Sequence, residues 1–371
     1  MKIKPIAQAC MWLPGFAPDE DPLVVLGTLS ASIVEETETP PTIQTLASWP
    51  LLDETHHASV TTPVPKYEAN INAIKLLRKL ESEGRSANAD EHAILSLYTG
   101  WGGLVKALDE KTPDAAWRAR HDELKGLLTK EEFDSAVQSS LNAYFTPIAV
   151  VKAMWDAVRR LGFKGGNVLE PSCGAGYFLG AMPEDLASKS RLTAIELDNV
   201  SARMTKAMYA QYGVNVIESA FERARIPEEG FDLVIGNPPF GAERSAELRN
   251  VPFATFTLHN YFIAKALECV RPGGLVVFLT STGTLDSTSE GHREYINRVA
   301  KLVGAIRLPS KTFKEIAETS VTTDLLIFQK REAKAVGAQE SKWIDCVGLP
   351  SSSPINGELW TRMHVNEYFV N

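Results

Sequence analysis

The residues best suited to chemistry in this sequence are Asn237, Pro238, Pro239 and Phe240, which follow an apolar run ending in Gly236. Two prolines make the turn rigid and leave it rich in hydrogen-bond acceptors. The Asn237 side-chain oxygen and the Pro238 carbonyl can both accept from one NH2 group. An aromatic amine such as the 6-amino group of adenine is a poor nucleophile, because its lone pair is delocalised. Two acceptors restore that lone pair and stabilise the charge that develops during methyl transfer.

Phe240 adds a flat apolar face beside this turn. Stacking of a base on such a face is worth about 1–3 kcal/mol, comparable with the cost of flipping a base out of a duplex. The turn therefore predicts methylation of a planar amine without a general base. An ordinary proline-rich turn is the alternative interpretation.

A second group of residues is typical of a cofactor pocket. Glu170 ends a short apolar strand, and Gly174 and Gly176 follow it, where glycines let the backbone approach a ligand. Glu196 ends the next strand, where an acid can accept both hydroxyls of a ribose. The order G-x-G-x-x-G is absent, and Glu170 would repel a pyrophosphate. The pattern favours S-adenosylmethionine, although a purely structural strand–turn–helix connection is also compatible with it.

Short strands and helices alternate around these motifs. Seven apolar runs predict strands: NVLE, LTAIEL, VNVIE, FDLVIG, GLVVFLT, GAIRLP and TDLLIFQK. Helical stretches separate most of them, which predicts an α/β fold with a mostly parallel sheet. Before the first strand, Thr146 as N-cap and Pro147 at the first helical position predict an amphipathic helix that ends at Gly162.

The segment before this sheet has helical periodicity. An apolar stripe with helical spacing begins the segment and consists of Ile71, Ile74, Leu77 and Leu80. Two more helices are predicted at DEHAILSLY and PDAAWRARHDELKGLL, and a fourth begins with a capping box at Thr129. The turn at residues 100–103, Gly-Trp-Gly-Gly, fits either a helix–helix turn around a core tryptophan or a lid over the cofactor.

Composition limits the other classes of function. The chain has 371 residues and a net charge of −8, which argues against nucleic-acid binding by the whole surface but leaves room for a local basic groove. The four cysteines are scattered and form no C-x-x-C pair, which argues against disulfides and against a metal site. The sequence therefore predicts a protein of the reducing cytoplasm. No apolar run approaches the roughly 18 residues of a membrane helix.

Together these residues resemble the S-adenosylmethionine-dependent amino-methyltransferases, and within them the adenine-specific DNA methyltransferases. Longer segments are similar to the methylase part of the large methylase–helicase proteins of phages and mobile elements. These segments are ANINAIKLLRKLE, ILSLYTGWGGL, LNAYFTP, LEPSCGAGYFLG, HNYFIAKALECVRPGG, TSTGTLDS and VTTDLLIFQKR. The resemblance covers roughly residues 67–369 and implies a Rossmann-like class I methyltransferase sheet of about seven strands.

Composition and periodicity along the sequence divide the chain into four parts. An acidic N-terminal extension of unassigned fold (1–66) precedes a helical region (67–143), a methyltransferase domain (144–332) and a C-terminal tail (333–371).

Individual positions acquire roles from this resemblance. The implied cofactor-binding residues are Phe145, Thr146, Pro147, Glu170, Ser172, Gly174, Gly176, Glu196, Phe221, Glu222 and Asn237. The implied catalytic residues are Asn237, Pro238, Pro239 and Phe240, with Phe313 as a second aromatic against the flipped base. Ala220 stands where relatives have an Asp that helps to hold the cofactor's adenine, and Glu222 is the candidate substitute.

The implied activity is adenine-N6 methylation of DNA, in phage or mobile-element DNA modification or in evasion of restriction. A helicase-like partner is also implied, because the large relatives continue into helicase modules. Methylation of an RNA base or of a protein glutamine shares the same turn, and a non-catalytic anti-restriction or interaction protein could retain the fold. Candidates for phosphate contact are Arg244, Arg249, Arg293 and Arg298, with solvated surface arginines as the alternative.

Overall fold

The computed structural model describes most of the chain from Trp49 onwards. The described residues are 49–52, 58–140, 146–241, 252–310, 312, 322–332, 341–350 and 362–370. Phe145, Phe313, Arg244 and Arg249 lie outside the described residues.

The region before the sheet is helical, as the sequence predicts. Its elements are a 3-10 turn at Ala58–Val60 and helices at Pro63–Glu83, Ala89–Leu95, Val105–Leu108, Ala115–Leu127 and Lys130–Ser140. The predicted stripe of the first helix, Ile71 to Leu80, is buried. Thr129 and Glu132 form the predicted capping box, in which the Glu132 backbone N–H donates to Thr129 Oγ1 at 3.2 Å and the Thr129 N–H to Glu132 Oε2 at 2.8 Å.

A seven-stranded sheet forms the centre of the molecule. Its strands are β1 Asn167–Glu170, β2 Arg191–Glu196, β3 Asn215–Glu218, β4 Phe231–Gly236, β5 Val270–Ser281, β6 Ala300–Arg307 and β7 Thr323–Lys330. The order across the sheet is β3-β2-β1-β4-β5-β7-β6. The first five strands pair in parallel, and β7 lies antiparallel between β5 and β6. The predicted mostly parallel α/β sheet is confirmed.

Helices cover both faces of the sheet. They are Ile148–Arg160, Tyr177–Gly180, Glu184–Ala187, Asn199–Tyr209, Leu258–Cys269, Gly283–Asp286 and Gly291–Val299, with 3-10 turns at Ala210–Tyr212 and Glu367–Phe369. The first of these begins one residue later than predicted. Pro147, not Thr146, is the N-cap, because its ψ of 135° is extended rather than helical.

A small antiparallel hairpin follows the sheet, with β8 at Cys346–Pro350 and β9 at Arg362–Asn366. Within the described residues, none of the helices combines the length and apolar character needed to cross a membrane. The same residues hold no cluster of three or more His, Cys, Asp or Glu side chains arranged to bind a metal.

The sheet separates two cores because successive strand residues point to opposite faces. Val168 packs in the core shared with the N-terminal helices, whereas its neighbour Leu169 packs in the core of the helix Leu258–Cys269. Leu233 and Val234 of β4 alternate in the same way. Strands buried on both sides explain the continuous apolar runs in the sequence.

The N-terminal helices are fastened to the sheet by ionic contacts on the helix Asn199–Tyr209. Arg203 pairs with Glu81 and, at 2.5 Å, with Glu132. Ser135 Oγ donates to Asp198 Oδ1 at 2.9 Å, just beyond the end of β2. The helix Lys130–Ser140 is therefore tied directly to the edge of the sheet at which β2 ends.

The Gly-Trp-Gly-Gly turn at 100–103 connects two helices around a core tryptophan, which is the first of the two interpretations. Trp101 is 1% exposed and packs in the core, edge-on to Tyr98. Asn70 Nδ2 donates to the Gly100 carbonyl at 2.6 Å, and Lys66 Nζ to the Gly102 carbonyl at 2.5 Å. The turn is thus an ordered helix–helix connection held by the helix Pro63–Glu83.

Candidate active site

Three neighbouring parallel strands bring the predicted residues to one edge of the sheet. β1 lies between β2 and β4, and these strands end at Glu170, Glu196 and Gly236. Residues that follow parallel strands gather at the same edge, where open α/β sheets bind ligands. The turn that follows β1 (residues 171–176, called the cofactor turn below) and the Asn-Pro-Pro-Phe turn (residues 237–240) are therefore neighbours.

The cofactor turn is shaped by its two glycines. Gly174 and Gly176 have φ values of 52° and 76°, a region that favours residues without a Cβ. The Cys173 N–H donates to the Ile195 carbonyl at 2.9 Å, which holds the turn against β2. Thr205 Oγ1 donates to the Gly174 carbonyl at 2.8 Å from the helix that follows β2. The result is a tight, fixed turn at the carboxyl edge.

Replacing Gly176 with alanine is expected to destabilise the protein by more than about 2 kcal/mol, because left-handed backbone strain adds to a steric clash. A Cβ at this position would lie 2.7 Å from the Tyr209 ring. Gly213→Ala is a matched control, since Gly213 has a φ of 82° but no atom within 4 Å of the added carbon. Urea unfolding measures both variants. Equal losses in the two would remove the steric part of this explanation.

Glu196 is held in place by two backbone donors. The Gly174 N–H donates to its Oε2 at 2.7 Å and the Asp198 N–H to its Oε1 at 2.8 Å. Burial nevertheless raises the pKa of Glu196 to about 7, even though both N–H bonds act in the opposite direction. Each carboxylate oxygen retains a lone pair for a further donor. The side chain is thus oriented to accept two hydroxyl groups of a ligand.

Glu170 is a buried acid that fits a cationic ligand. It is 2% exposed, and its Oε2 has no hydrogen-bond partner among the described residues. Burial, together with the nearby charge of Glu196, raises the pKa of Glu170 well above its usual range. An unsatisfied buried carboxyl costs about 1–3 kcal/mol or more, which a positively charged group on a ligand would offset. S-adenosylmethionine, with an amino group, a sulfonium and a ribose, matches this pair of acids.

The Asn-Pro-Pro-Phe turn lies beside the cofactor turn. Ser172 Oγ donates to the main-chain carbonyl of Asn237 at 3.3 Å, which links the two turns directly. Asn237 is half-buried with its Oδ1 shielded from solvent, Pro238 is buried, and Pro239 and Phe240 are half-buried. The turn therefore has a fixed backbone and a partly open aromatic ring at the carboxyl edge of the sheet.

Three other predicted cofactor residues, Thr146, Pro147 and Phe221, make no hydrogen bond or ring contact with either turn among the described residues. Thr146 is buried and Pro147 half-buried at the start of the helix Ile148–Arg160, whose Trp155 Nε1 donates to the Phe178 carbonyl at 2.9 Å. Phe221 follows β3 but is 2% exposed, with its ring 5.1 Å from that of Phe262.

Glu222 is half-buried and near the helix Leu258–Cys269, where burial, and after it the charge of Glu222, raise the pKa of Tyr261. The structure thus brings Glu170, Ser172, Glu196 and Asn237 together, whereas Phe221 and Glu222 extend toward the second core.

Two features beside Glu196 escape the sequence analysis. Leu197 directly follows Glu196 and is 60% exposed, which is unusual for a large apolar side chain. Its position after a strand-ending acid is the signal that could have identified it. Asp198 caps the next helix through Ser201 and also accepts from Ser135, so the N-terminal helices help to fix this loop.

One candidate for phosphate contact is wrong. Arg293 is fully buried, and its guanidinium donates to the carbonyls of Ile344 at 2.6 Å and Ser287 at 2.8 Å. It therefore fastens the segment before β8 to the sheet domain and cannot contact DNA. Arg298 is exposed beside the Tyr295 ring and remains a candidate.

A family comparison agrees with this geometry. Residues 158–308 match the family described as Eco57I restriction-modification methylase. This segment contains β1 to β6 with both turns, so the similarity to a restriction-modification methylase covers the part of the chain that holds the candidate site. The comparison supports a methyltransferase that uses S-adenosylmethionine.

Individual relatives are similar over parts of their length. Defense against restriction protein B of Escherichia phage P1 is 28% identical over 271 residues, which cover 72% of this chain and 10% of that protein. Type II methyltransferase M.TthHB8I of Thermus thermophilus is 33% identical over 132 residues, 31% of this chain and 29% of that protein. The chain thus spans less than a third of the length of either relative.

One solved structure is similar to this chain at low identity. A type I restriction-modification methyltransferase subunit from Streptococcus thermophilus is 15% identical with a TM-score of 0.42, over 73% of this chain and 67% of that one.

Proposed function

We propose that this protein is a DNA methyltransferase that transfers a methyl group from S-adenosylmethionine to the exocyclic N6 amine of adenine. The observation that carries the proposal is the bond from Ser172 to Asn237, which sets the acceptor turn beside the two acids of the cofactor pocket. The restriction-modification description of the family supports DNA as the substrate class.

Each residue has a defined part in this proposal. Glu196 accepts the ribose hydroxyls, Leu197 covers the adenine of the cofactor, and Glu170 pairs with its positively charged amino-acid end. Bound S-adenosylmethionine supplies an electrophilic methyl group on its sulfonium. These assignments use the buried Glu170, the half-buried Glu196 and the exposed leucine at one strand edge.

The target amine is held by the other turn. Asn237 Oδ1 and the Pro238 carbonyl accept its two N–H groups, and Phe240 stacks on the ring. As the new N–C bond forms, the two acceptors stabilise the positive charge on nitrogen. The proton then leaves to solvent, and methylated adenine and S-adenosylhomocysteine are the products. A helicase-like partner that opens the duplex is part of the proposal.

The direct test is to incubate the protein with labelled S-adenosylmethionine and with DNA, RNA or protein in parallel. Label in DNA that maps to N6-methyladenine is the expected result. Label only in RNA or at glutamine would replace DNA by that substrate, and cofactor binding without transfer to any of them would favour a non-catalytic role.

A further inference from the structure

The segment after β2 is held by a residue from the helical region that precedes the sheet. Asp198 follows Glu196 by two residues and is 3% exposed. Its Oδ1 accepts from Ser135 Oγ at 2.9 Å, across 63 residues of sequence. Ser135 lies on the helix Lys130–Ser140. This bond connects that helix to the segment that carries the candidate ribose acid.

Asp198 is a buried carboxylate that accepts hydrogen bonds at both oxygens. Ser201 donates to Oδ2 through its N–H at 2.9 Å and through its hydroxyl at 2.6 Å. Among the described residues, Ser135 supplies the donor to Oδ1. Removal of one donor from a buried carboxylate leaves its charge less compensated and its position less constrained.

Asp198 acts on Glu196 in two ways. Its backbone N–H donates to Glu196 Oε1 at 2.8 Å and orients that carboxyl group. Its side-chain charge opposes a second negative charge nearby: burial is the main cause that raises the pKa of Glu196 to about 7, and the charge of Asp198 raises it further. The state of Asp198 therefore affects both the orientation and the ionisation of Glu196.

Other charged and titratable groups lie around these two acids. They are Glu170 at the end of β1, Cys173 in the cofactor turn, Tyr98 and Glu132 in the helical region, Arg203 on the helix Asn199–Tyr209 and Glu218 at the end of β3. Arg203 is the one cation of this set, and it pairs with Glu81 and Glu132. Among the described residues, none of the set donates a hydrogen bond to the Asp198 carboxylate, so none replaces Ser135 there.

We propose that Ser135 is a positioning residue for the cofactor, because its bond to Asp198 holds Glu196 in the orientation and charge state that accept the ribose of S-adenosylmethionine. This inference rests on the proposed function, in which Glu196 binds the ribose. Without the Ser135 hydroxyl, the less compensated charge of Asp198 makes ionisation of Glu196 less favourable. Cofactor binding then requires a higher pH.

The first test is titration calorimetry with S-adenosylmethionine across a range of pH. Ser135→Ala is expected to weaken binding about threefold to tenfold near pH 7, and to move the rise in affinity upward by about half a pH unit. Ser139→Ala is the matched control, since Ser139 lies one turn later and its hydroxyl donates within the helix to the Ala136 carbonyl at 3.2 Å. This control should equal the wild type. A purely structural role would weaken binding equally at every pH, so an unmoved rise in Ser135→Ala would overturn the proposal.

The second test counts the protons released when the cofactor binds, by calorimetry in two buffers of different ionisation enthalpy. At about pH 7.5, Ser135→Ala should release more protons than the wild type, because more of its Glu196 is protonated beforehand. Ser135→Thr retains the hydroxyl and should restore both the affinity and the proton release. Equal proton release in Ser135→Ala and the wild type would overturn the proposal. Both tests require only the cofactor, so a failure to methylate DNA leaves them valid, whereas a wild type that binds no S-adenosylmethionine overturns this proposal and the proposed function together.

Discussion

Asn237→Ala is expected to abolish methyl transfer while S-adenosylmethionine binding is largely retained. The substitution removes one of two fixed acceptors for the target amine and leaves the main-chain carbonyl that accepts from Ser172. Removing one preorganised polar group at a reacting centre lowers kcat by about 10²–10³ in comparable sites. Initial rates at saturating cofactor, with calorimetry for cofactor affinity, measure the two effects separately.

The control for this prediction is Asn237→Asp, which keeps an acceptor oxygen at the same place. It should retain more activity than the alanine variant. If Asn237→Ala kept more than about a tenth of the wild-type rate, a loss under about 1.4 kcal/mol, the two-acceptor mechanism would be wrong.

The sheet and both turns could be predicted because their signals are local. Each strand is a short apolar run bounded by turn residues, and Gly176 stands where the backbone needs a positive φ. The capping box at Thr129 is likewise contained within four residues. Such patterns depend only on residues close in sequence, so they can be recognised without knowledge of the fold.

What could not be predicted depends on contacts distant in sequence. From the sequence, Arg293 is expected to be a surface charge. In the structure it is buried, and its guanidinium donates to the carbonyl of Ile344, 51 residues later. His259 and Ser281 lie on different elements and meet only because β5 extends to Ser281 beside the start of the helix Leu258–Cys269. The placement of β7 between β5 and β6 also has no local signal.

Glu196→Ala is expected to weaken S-adenosylmethionine binding at least tenfold, measured by titration calorimetry. A carboxylate that accepts two ribose hydroxyls makes charge-assisted bonds worth about 1.5–3 kcal/mol each, and alanine removes both. Glu218→Ala is the matched control, since Glu218 ends the neighbouring strand β3 in an exposed position. If Glu196→Ala left the affinity for S-adenosylmethionine unchanged, the ribose would have to bind elsewhere than at the end of β2.

The raised pKa of Glu196 makes the same contact dependent on pH. Since this pKa is about 7, the carboxyl of the free protein is largely protonated below pH 7 and must ionise to accept two donors. Cofactor affinity should therefore rise as pH increases through about 7, and binding should release protons.

The contribution of Glu196 to folding has the opposite dependence on pH. A carboxyl whose pKa rises from 4.5 to about 7 on folding stabilises the free protein below pH 4.5, and this contribution is lost as pH rises to 7. Glu196→Gln should flatten the rise in affinity through pH 7. Glu170 also ionises more readily beside a cationic ligand, so any pH dependence that remains in Glu196→Gln is assigned to Glu170. An unaltered rise in that variant would show that Glu196 does not control it.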